Sequence, residues 1–311
     1  MRADEMHPQA RAIVDRQRRL GLPPISRYDR RLIRALERIG TWIGGRGSPA
    51  VGATTDGTIP GPDDDIPVRV YQPDQPGPYP TLVYFHGGGF VFGSIATHDT
   101  VCRRLARETG AVVVSVAYRL APEHPFPAAV EDAFAATRWA ATNPDRLDSD
   151  GHLAVAGDSA GGTLAAVSAL LARDRDGPAI DYQILLYPGI GIRDDQHSVA
   201  QNDGIALAAE DLEWFQECYY ESELDSHNPY ADPIHARDLA GVAPATVVTA
   251  GFDPLRDGGL AYAQRLESDG VAVTHRHEDD MIHGFLTADI DRAETIVCDV
   301  ATDMHAAIGM R

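Results

Sequence analysis

A serine with the surroundings of an enzymatic nucleophile lies near the middle of the 311-residue sequence. The segment Gly157–Gly161 reads Gly-Asp-Ser-Ala-Gly, a G-x-S-x-G pattern between a strand-like run, Leu153–Ala156, and a helix-like stretch, Gly161–Arg173. In that context the pattern predicts a tight strand-to-helix turn that exposes the Ser159 hydroxyl in front of a helix N-terminus. The alternative is a glycine-rich turn that only lets a helix pack closely on a strand, and the partners of Ser159 decide between the two.

Three consecutive glycines, Gly87–Gly89, form a second candidate feature within the string HGGGF at residues 86–90. The string follows a strand-like run, Thr81–Phe85, and glycine backbones can turn their N–H groups toward one point. Such donors would stabilise the negative charge that develops on a carbonyl oxygen, and the N–H of Ala160 at a helix start would add another. A dinucleotide-binding loop is the alternative, but it requires G-x-G-x-x-G opening a helix, and no helix opens directly after this string.

An aspartate and a histidine complete a hydrolytic arrangement, because Asp253 and His283 each come just after a predicted strand. In such a sheet the functional site lies at the carboxyl ends of the parallel strands. The order Ser, Asp, His along the sequence is that of an α/β-hydrolase. Asp257 is a competitor for the acid, but its place at a helix start favours a helix-stabilising role. His275 and His277 form an H-x-H pair; with no third ligand at a useful spacing, we interpret them as a polar strand face.

From residue 66 onward, strand-like runs alternate with helical stretches, which predicts an α/β fold: a mostly parallel central sheet with helices on both faces. The predicted strands are Pro67–Tyr71, Thr81–Phe85, Val112–Tyr118, Leu153–Ala156, Ile184–Tyr187, Thr246–Ala250 and Val271–His275. The predicted helices are Asp99–Glu108, Ala128–Thr142, Gly161–Arg173, Arg256–Ser268 and Asp291–Ala307.

Two further segments lie outside this alternation. Residues 1–45 are rich in arginine and helical in pattern, with Ser26 as the expected cap of a second helix in which Leu32, Leu36 and Ile39 share a spacing. A Gly/Pro-rich acidic stretch, Gly44–Asp65, separates them from the strand–helix alternation, and we place the start of the α/β-hydrolase catalytic domain, residues 46–311, within this stretch. Within that domain, residues of about 190–236 carry an aromatic, acidic helix and no strand pattern, so we interpret them as an insertion.

The composition excludes several classes of protein. Forty-six acidic residues against 27 basic ones give a net charge of −19, and all 27 basic residues are arginine. Such a charge disfavours nucleic acid and anionic membranes as partners. Three cysteines outside any C-x-x-C pattern indicate reduced thiols, and no apolar run is long enough to span a bilayer, so we expect a cytoplasmic protein, monomeric or homodimeric. The acidic runs Asp63–Asp65 and Glu278–Asp280 are interpreted as solvated loop charges.

Several motifs together resemble one family. The motifs, in order, are HGGGF at 86–90, YRLAPEHPFPAA at 118–129, GDSAGG at 157–162, DPLRD at 253–257 and IHGF at 282–285. The sequence is similar to the hormone-sensitive-lipase-like (GDXG-type) microbial carboxylesterases of the α/β-hydrolase superfamily. The resemblance implies a helical cap built from the amino-terminal segment and the insertion. It also implies that Gly88 and Gly89 join Ala160 as oxyanion donors, that His86 and Gly87 orient their loop, and that neither metal nor cofactor is needed.

The expected activity is that of a serine carboxylesterase acting on short- to medium-chain esters. Ser159 would attack the ester carbonyl while His283 takes its proton and Asp253 holds the imidazole. An amidase or deacetylase is the alternative within the hydrolases, because a triad does not discriminate leaving groups. A non-catalytic small-molecule binding protein on this scaffold is a further alternative, but binding proteins that resemble this family lose the histidine that is present here as His283.

The large negative net charge needs an explanation other than catalysis. The motifs need only one acidic residue, so catalysis does not explain the excess of carboxylates or the absence of lysine. In concentrated salt the Debye length falls to about 3 Å at 1 M, so like charges on a surface stop repelling each other. The composition therefore predicts a halophilic, salt-adapted enzyme.

Overall fold

The structure, a computed structural model, describes residues 1–44 and 48–310, with the backbone alone for residues 38–44. Within these residues eight strands form one sheet, with these bounds: β1 (Ala53–Ile59), β2 (Ile66–Gln72), β3 (Tyr79–Phe85), β4 (Val112–Val116), β5 (Ser149–Asp158), β6 (Tyr182–Leu186), β7 (Ala245–Phe252) and β8 (Val273–Ile282). Their order across the sheet is β1-β2-β4-β3-β5-β6-β7-β8. Strands β3 to β8 are mutually parallel, and β2 pairs antiparallel with both β1 and β4. The predicted mostly parallel sheet is confirmed.

Helices cover both faces of this sheet. The α-helices in the described residues have these bounds: α1 (Pro8–Leu20), α2 (Arg30–Gly44), α3 (Asp99–Thr109), α4 (Ala128–Thr142), α5 (Pro144–Leu147), α6 (Ala160–Asp174), α7 (His197–Asn202), α8 (Ala209–Tyr219), α9 (Glu223–Ser226), α10 (Arg256–Ser268) and α11 (Asp291–Ile308). Helices α1, α3 and α11 contribute to the core on one face, and α4, α6 and α10 contribute to the core on the other.

The strands in the middle of the sheet are apolar on both sides because both sides are covered. Along β3, Leu82 and Tyr84 belong to one core, while Val83 and Phe85 belong to the other, and all four side chains are buried. Continuous apolar runs of this kind are typical of parallel strands that lie between two helix layers. The sheet is therefore tightly packed on both faces, and it fixes the positions of the loops that follow the carboxyl ends of its strands.

Two segments that were predicted to lie outside the strands are strands in the structure. Strand β1 lies inside the stretch Gly44–Asp65 that we interpreted as a linker; its sequence ATTDGTI is largely exposed, so an edge strand with one buried residue gives little periodicity. The run Glu278–Asp280 lies on strand β8 and not in a loop. Glu278 is buried there and pairs with the Arg292 guanidinium, which explains how a carboxylate occupies a strand interior.

The amino-terminal segment is helical as predicted, although its second helix begins later than expected. Ser26 lies in a 3₁₀ turn, Ile25–Arg27, and α2 starts at Arg30. The Asp29 carboxylate accepts the N–H of Arg31 at 2.7 Å, so Asp29 supplies the cap that we assigned to Ser26. The Ile39 side chain and the predicted domain boundary at residues 45 and 46 lie outside the described residues.

The insertion at residues 190–236 contains helices α7, α8 and α9 and follows strand β6. It contacts the amino-terminal segment directly. The Ser26 N–H donates to the Asp211 carboxylate at 2.9 Å, and the Arg27 guanidinium pairs with Glu210 at 3.0 Å, both on α8. The two segments that the sequence set apart from the sheet therefore meet each other.

Candidate active site

Ser159 occupies a strained turn between strand β5 and helix α6. Its φ of 53° and ψ of −121° lie in a region that non-glycine residues rarely adopt. The glycines on either side make the turn possible: a Cβ on Gly161 would collide with the Phe85 carbonyl oxygen, and one on Gly157 would collide with the Gly161 carbonyl oxygen. The spacing of G-x-S-x-G is thus a steric requirement of the turn, which leaves the Ser159 hydroxyl at the carboxyl edge of the sheet.

A hydrogen-bonded row leads from Ser159 to a buried carboxylate. His283 Nε2 lies 3.0 Å from Ser159 Oγ, and His283 Nδ1 lies 2.8 Å from Asp253 Oδ2. Because an ionised carboxylate only accepts hydrogen bonds, Nδ1 carries the proton and Nε2 accepts the hydroxyl of Ser159. Asp253 is completely buried, and its second oxygen, Oδ1, accepts the Leu255 N–H at 2.8 Å. The structure brings the three residues predicted as catalytic within hydrogen-bonding distance.

The electrostatics of the row suit a histidine that accepts a proton. Burial by itself would lower the pKa of His283, but the adjacent Asp253 carboxylate outweighs it and raises that pKa above the ordinary value of 6.5. The ring of Tyr187 packs edge-on against the imidazole, with 5.1 Å between ring centroids. His283 is therefore fixed in orientation and is more basic than an isolated histidine.

The glycine string places backbone donors beside the serine. Gly88 and Gly89 have φ of 123° and 61°, conformations that a glycine adopts without strain. In the part of the chain that the structure describes, the N–H groups of Gly88, Gly89 and Ala160 have no hydrogen-bond acceptor. These three residues line the same cavity as Ser159 and His283. Their N–H groups are therefore available to an oxygen atom bound at the serine.

His86 and Gly87, predicted to orient this loop, are both fixed by contacts. The His86 ring stacks on Tyr118 with 4.3 Å between centroids, and its Nδ1 donates to the Gly87 carbonyl at 2.9 Å. Burial, assisted by the nearby His98, lowers the pKa of His86 to about 4, so its ring is neutral. The Gly87 N–H donates to Asp158 Oδ1 at 2.8 Å.

Sequence reasoning missed a buried polar cluster under the glycine string. The Asp158 carboxylate accepts hydrogen bonds from the Tyr84 hydroxyl at 2.6 Å and from Gly87, and it lies 3.2 Å from His98 Nε2. Burial opposes its charge, but His98 and these donors keep the pKa of Asp158 below its ordinary value, and Asp158 in turn raises the pKa of His98. Asp158 is the variable residue of G-x-S-x-G, whereas no motif marks His98.

A second missed residue supports the backbone around Asp253, the aspartate predicted to be catalytic. Asn202, the last residue of α7, is fully buried, and its Nδ2 donates to the backbone carbonyl oxygens of Asp253 at 3.0 Å and of Gly251 at 3.3 Å. The insertion therefore holds the loop after β7 as well as contacting the amino-terminal segment. Nothing in the sequence near Asn202 indicates this role, because its partner lies 51 residues away.

The competing candidates lie elsewhere. Asp257 accepts the Ser198 N–H at 2.8 Å and pairs with Arg256, so its carboxylate is used at the starts of α7 and α10. His275 and His277, on strand β8, each have a ring nitrogen 2.9 Å from the hydroxyl of Thr249 on β7. Among the described residues there is no group of three or more potential metal-ligating side chains.

A large cavity of about 1060 Å³ opens above the serine. Its apolar wall is formed by Ile25, Phe90, Phe92, Ile192, Leu207, Leu212, Phe215, Tyr219 and Leu255. Ile25 and Glu37 come from the amino-terminal segment, and Leu212 and Phe215 come from α8 in the insertion. Both segments therefore shape the space in which a substrate would lie. In the described residues, no helix is long and apolar enough to cross a membrane.

Comparison with known proteins agrees with this geometry. A family model described as "alpha/beta hydrolase fold" matches residues 82–287, so the chain is an α/β hydrolase. It is 46% identical over 239 residues to "Esterase LipI" of Mycobacterium tuberculosis, covering 74% of each chain, and 40% identical over 227 residues to "Ethyl acetate hydrolase" of Pseudomonas putida, covering 71% of each. A solved esterase of Pyrobaculum calidifontis superposes with a TM-score of 0.90 at 41% identity, over 97% of this chain and 98% of that one. The chain belongs to the hormone-sensitive-lipase-like carboxylesterase family and is a carboxylic ester hydrolase.

Proposed function

We propose that the chain is a serine esterase that hydrolyses short- to medium-chain carboxylic esters through an acyl-enzyme on Ser159. The row of hydrogen bonds from Ser159 through His283 to Asp253, at the floor of an apolar cavity, carries this proposal. In the first half of the reaction, Ser159 Oγ attacks the ester carbonyl carbon while His283 Nε2 accepts its proton. The negative charge on the former carbonyl oxygen is stabilised by the N–H groups of Gly88, Gly89 and Ala160.

The second half returns the enzyme to its starting state. The protonated His283 gives its proton to the alcohol oxygen as the carbon–oxygen bond breaks, which leaves the acyl group on Ser159. Water then attacks the acyl carbon, His283 accepts the proton of that water, and the carboxylic acid leaves as Ser159 regains a hydrogen. Asp253 holds Nδ1 and stabilises the imidazolium during both halves. Each step uses only protein groups, the ester and water.

We propose further that residues 1–45 and about 190–236 act as a cap over a catalytic domain. The contacts of Ser26 with Asp211 and of Arg27 with Glu210 join the two segments, and both line the cavity. An apolar wall suits an acyl chain or an apolar alcohol because burying each methylene in it contributes about 0.8 kcal/mol. The similarity to a protein named ethyl acetate hydrolase supports small ester substrates.

The length of the substrate's acyl chain is expected to determine the kcat/KM of ester hydrolysis. In a series of p-nitrophenyl acetate, butyrate, hexanoate, octanoate, decanoate and palmitate, we expect kcat/KM to be highest between acetate and octanoate and to fall for palmitate, because the cavity has a finite volume. The matching p-nitroanilides test the amidase alternative, and we expect the esters to react faster. A protein that hydrolysed anilides preferentially, or no ester in the series, would contradict the proposal.

We propose that the protein is adapted to concentrated salt in a cytoplasm. The net charge of −19 is carried by carboxylates, many of which are exposed, such as those of Asp64, Glu213 and Glu217. Repulsion among such groups opposes the compact state when few ions are present, and screening by salt removes this cost.

Salt is therefore expected to stabilise the fold. Raising KCl from about 0.05 M to about 3 M should increase the melting temperature by several degrees and raise kcat/KM, because the Debye length falls from more than 10 Å to below 3 Å. Circular dichroism melts and ester hydrolysis measure the two effects. A parallel series in sucrose separates charge screening from solute exclusion. An unchanged or lower melting temperature in KCl would show that the charge has another origin.

A further inference from the structure

Arg34 on helix α2 forms hydrogen bonds with the backbone of the loop that carries the predicted oxyanion donors. Its Nε donates to the Val91 carbonyl oxygen at 2.9 Å, and its Nη2 donates to the Ala121 carbonyl oxygen at 2.9 Å. Only 20% of its side chain is exposed, and Glu123 pairs with the guanidinium at 3.1 Å. Hydrogen bonds from a charged donor are stronger than neutral ones, so Arg34 ties two separate backbone segments together.

The Val91 carbonyl is connected to the Gly89 N–H by two peptide units. A peptide unit is planar and trans, so its carbonyl oxygen and its N–H point in opposite directions. The carbonyl of Val91 and the N–H of Phe92 share one unit, and that N–H donates to the Gly88 carbonyl oxygen at 2.8 Å. The Gly88 carbonyl shares the next unit with the N–H of Gly89. A continuous series of donors and acceptors therefore leads from the guanidinium to the cavity.

The direction of this series favours charge stabilisation at its far end. Every N–H group in the series points away from Arg34 and toward the cavity. The positive charge of Arg34 therefore polarises the Phe92 N–H and then the Gly89 N–H in the same sense. A second bond fixes the turn between them, because the Ala121 N–H donates to the Phe90 carbonyl at 2.9 Å while Arg34 holds the Ala121 carbonyl. Orientation and polarity of the Gly89 donor thus both depend on a side chain of the amino-terminal segment.

We propose that Arg34 is a positioning residue that orients and polarises the Gly89 N–H for the oxyanion, acting through the Val91–Phe92 and Gly88–Gly89 peptide units. The proposal rests on the proposed function, in which Gly89 is an oxyanion donor. It assigns to helix α2 a part in stabilising the transition state, in addition to its place in the cavity wall.

The test compares Arg34→Met with Arg30→Met. Methionine keeps an unbranched stem but donates no hydrogen bond, and Arg30, one turn earlier on α2, contacts Glu123 at 3.4 Å and has no bond to the loop backbone among the described residues. For Arg34→Met we expect kcat on p-nitrophenyl butyrate to fall about 10- to 100-fold with KM within about twofold, because a small displacement of a donor is costly. Arg30→Met is expected to match the wild type.

An inhibitor pair separates positioning from general stability. An alkyl trifluoromethyl ketone adds to the serine hydroxyl and forms a tetrahedral oxyanion, whereas the corresponding methyl ketone binds without addition. We expect the trifluoromethyl ketone to lose affinity in Arg34→Met by about the same factor as kcat, and the methyl ketone to bind as in the wild type. A purely structural role of Arg34 would lower the melting temperature without changing the ratio of the two affinities below that temperature.

The outcomes are distinct. If folded Arg34→Met keeps kcat and trifluoromethyl ketone affinity within about twofold of Arg30→Met, the proposal is overturned and the proposed function stands. If Arg34→Met is not folded at the assay temperature, Arg34→Gln decides, because glutamine keeps a polar, hydrogen-bonding side chain but carries neither the positive charge nor the planar guanidinium fork. A loss of about threefold or more in kcat then supports the proposal, and wild-type kcat overturns it. A wild-type protein with no esterase activity would overturn both the proposal and the function.

Discussion

Ser159→Ala is expected to lower kcat on p-nitrophenyl butyrate by roughly 10⁴- to 10⁶-fold, the largest effect of any single substitution in this chain. The reason is that the variant has no atom that can form the acyl-enzyme, whereas the backbone donors and the cavity remain. Alanine has the same Cβ as serine, so the strained φ of 53° is neither relieved nor worsened, and the melting temperature should change little. Stopped-flow release of p-nitrophenol measures the rate, and a fluorophosphonate probe with mass spectrometry measures labelling at residue 159.

Ser168→Ala is the matched control. Ser168 lies on the same helix, α6, is buried, and its hydroxyl has no hydrogen-bond partner within the described residues. The same chemical change there should leave kcat and probe labelling at wild-type levels. The assignment of the nucleophile would be wrong if Ser159→Ala kept substantial activity, or if the probe labelled a serine other than Ser159.

The parts of the fold that were predictable from the sequence are those with strong local patterns. The central strands are continuous apolar runs because two helix layers cover them, and runs of this kind are recognisable without knowledge of their partners. Strand β1 has no such pattern, since it pairs only with β2 at the edge of the sheet and leaves most of its side chains in solvent. The acidic end of β8 was misinterpreted for a related reason: Glu278 is tolerated by its pairing with Arg292, which is distant in sequence.

The candidate site likewise contains some residues that could be predicted from the sequence and others that could not. Ser159, Asp253 and His283 follow strand ends in the order expected of an α/β hydrolase, so their proximity could be predicted, and their catalytic roles stay predictions that the hydrogen bonds support. The residues that hold them act through backbone atoms or through other side chains. His98 and Asn202 illustrate this, because each contacts a partner about 50 to 60 residues away and neither belongs to a local motif.

The insertion and the amino-terminal segment both support loops of the candidate site. The insertion contributes Asn202 to the loop that carries Asp253, and the amino-terminal segment contributes Arg34 to the loop that carries Gly89. The segments proposed as a cap therefore contact the backbone on both sides of the hydrogen-bonded row from Ser159 to Asp253, in addition to lining the cavity. Changes in either segment are expected to affect turnover as well as substrate selection.

Asp253→Asn is expected to lower kcat by roughly 10⁴-fold while leaving the fold intact. The asparagine amide can turn an N–H toward His283 Nδ1, which favours the tautomer that carries its proton on Nε2 and so cannot accept the Ser159 hydroxyl. The variant also loses the negative charge that stabilises the imidazolium. The wild-type distance of 2.8 Å between Asp253 Oδ2 and His283 Nδ1 makes both effects direct.

The dependence of kcat/KM on pH tests the same substitution independently. A general base works when it is neutral, and Asp253 raises the pKa of His283 above 6.5 against the opposing effect of burial, so wild-type activity should fall as the pH drops through a value above 6.5. Without the carboxylate, burial lowers that pKa, and the acid limb of the residual activity should move to lower pH. Asp257→Asn, which removes a nearby carboxylate that pairs with Arg256, should keep the wild-type profile and kcat within about twofold. An acid limb that stayed in place in Asp253→Asn, or that moved equally in Asp257→Asn, would mean that Asp253 does not control His283.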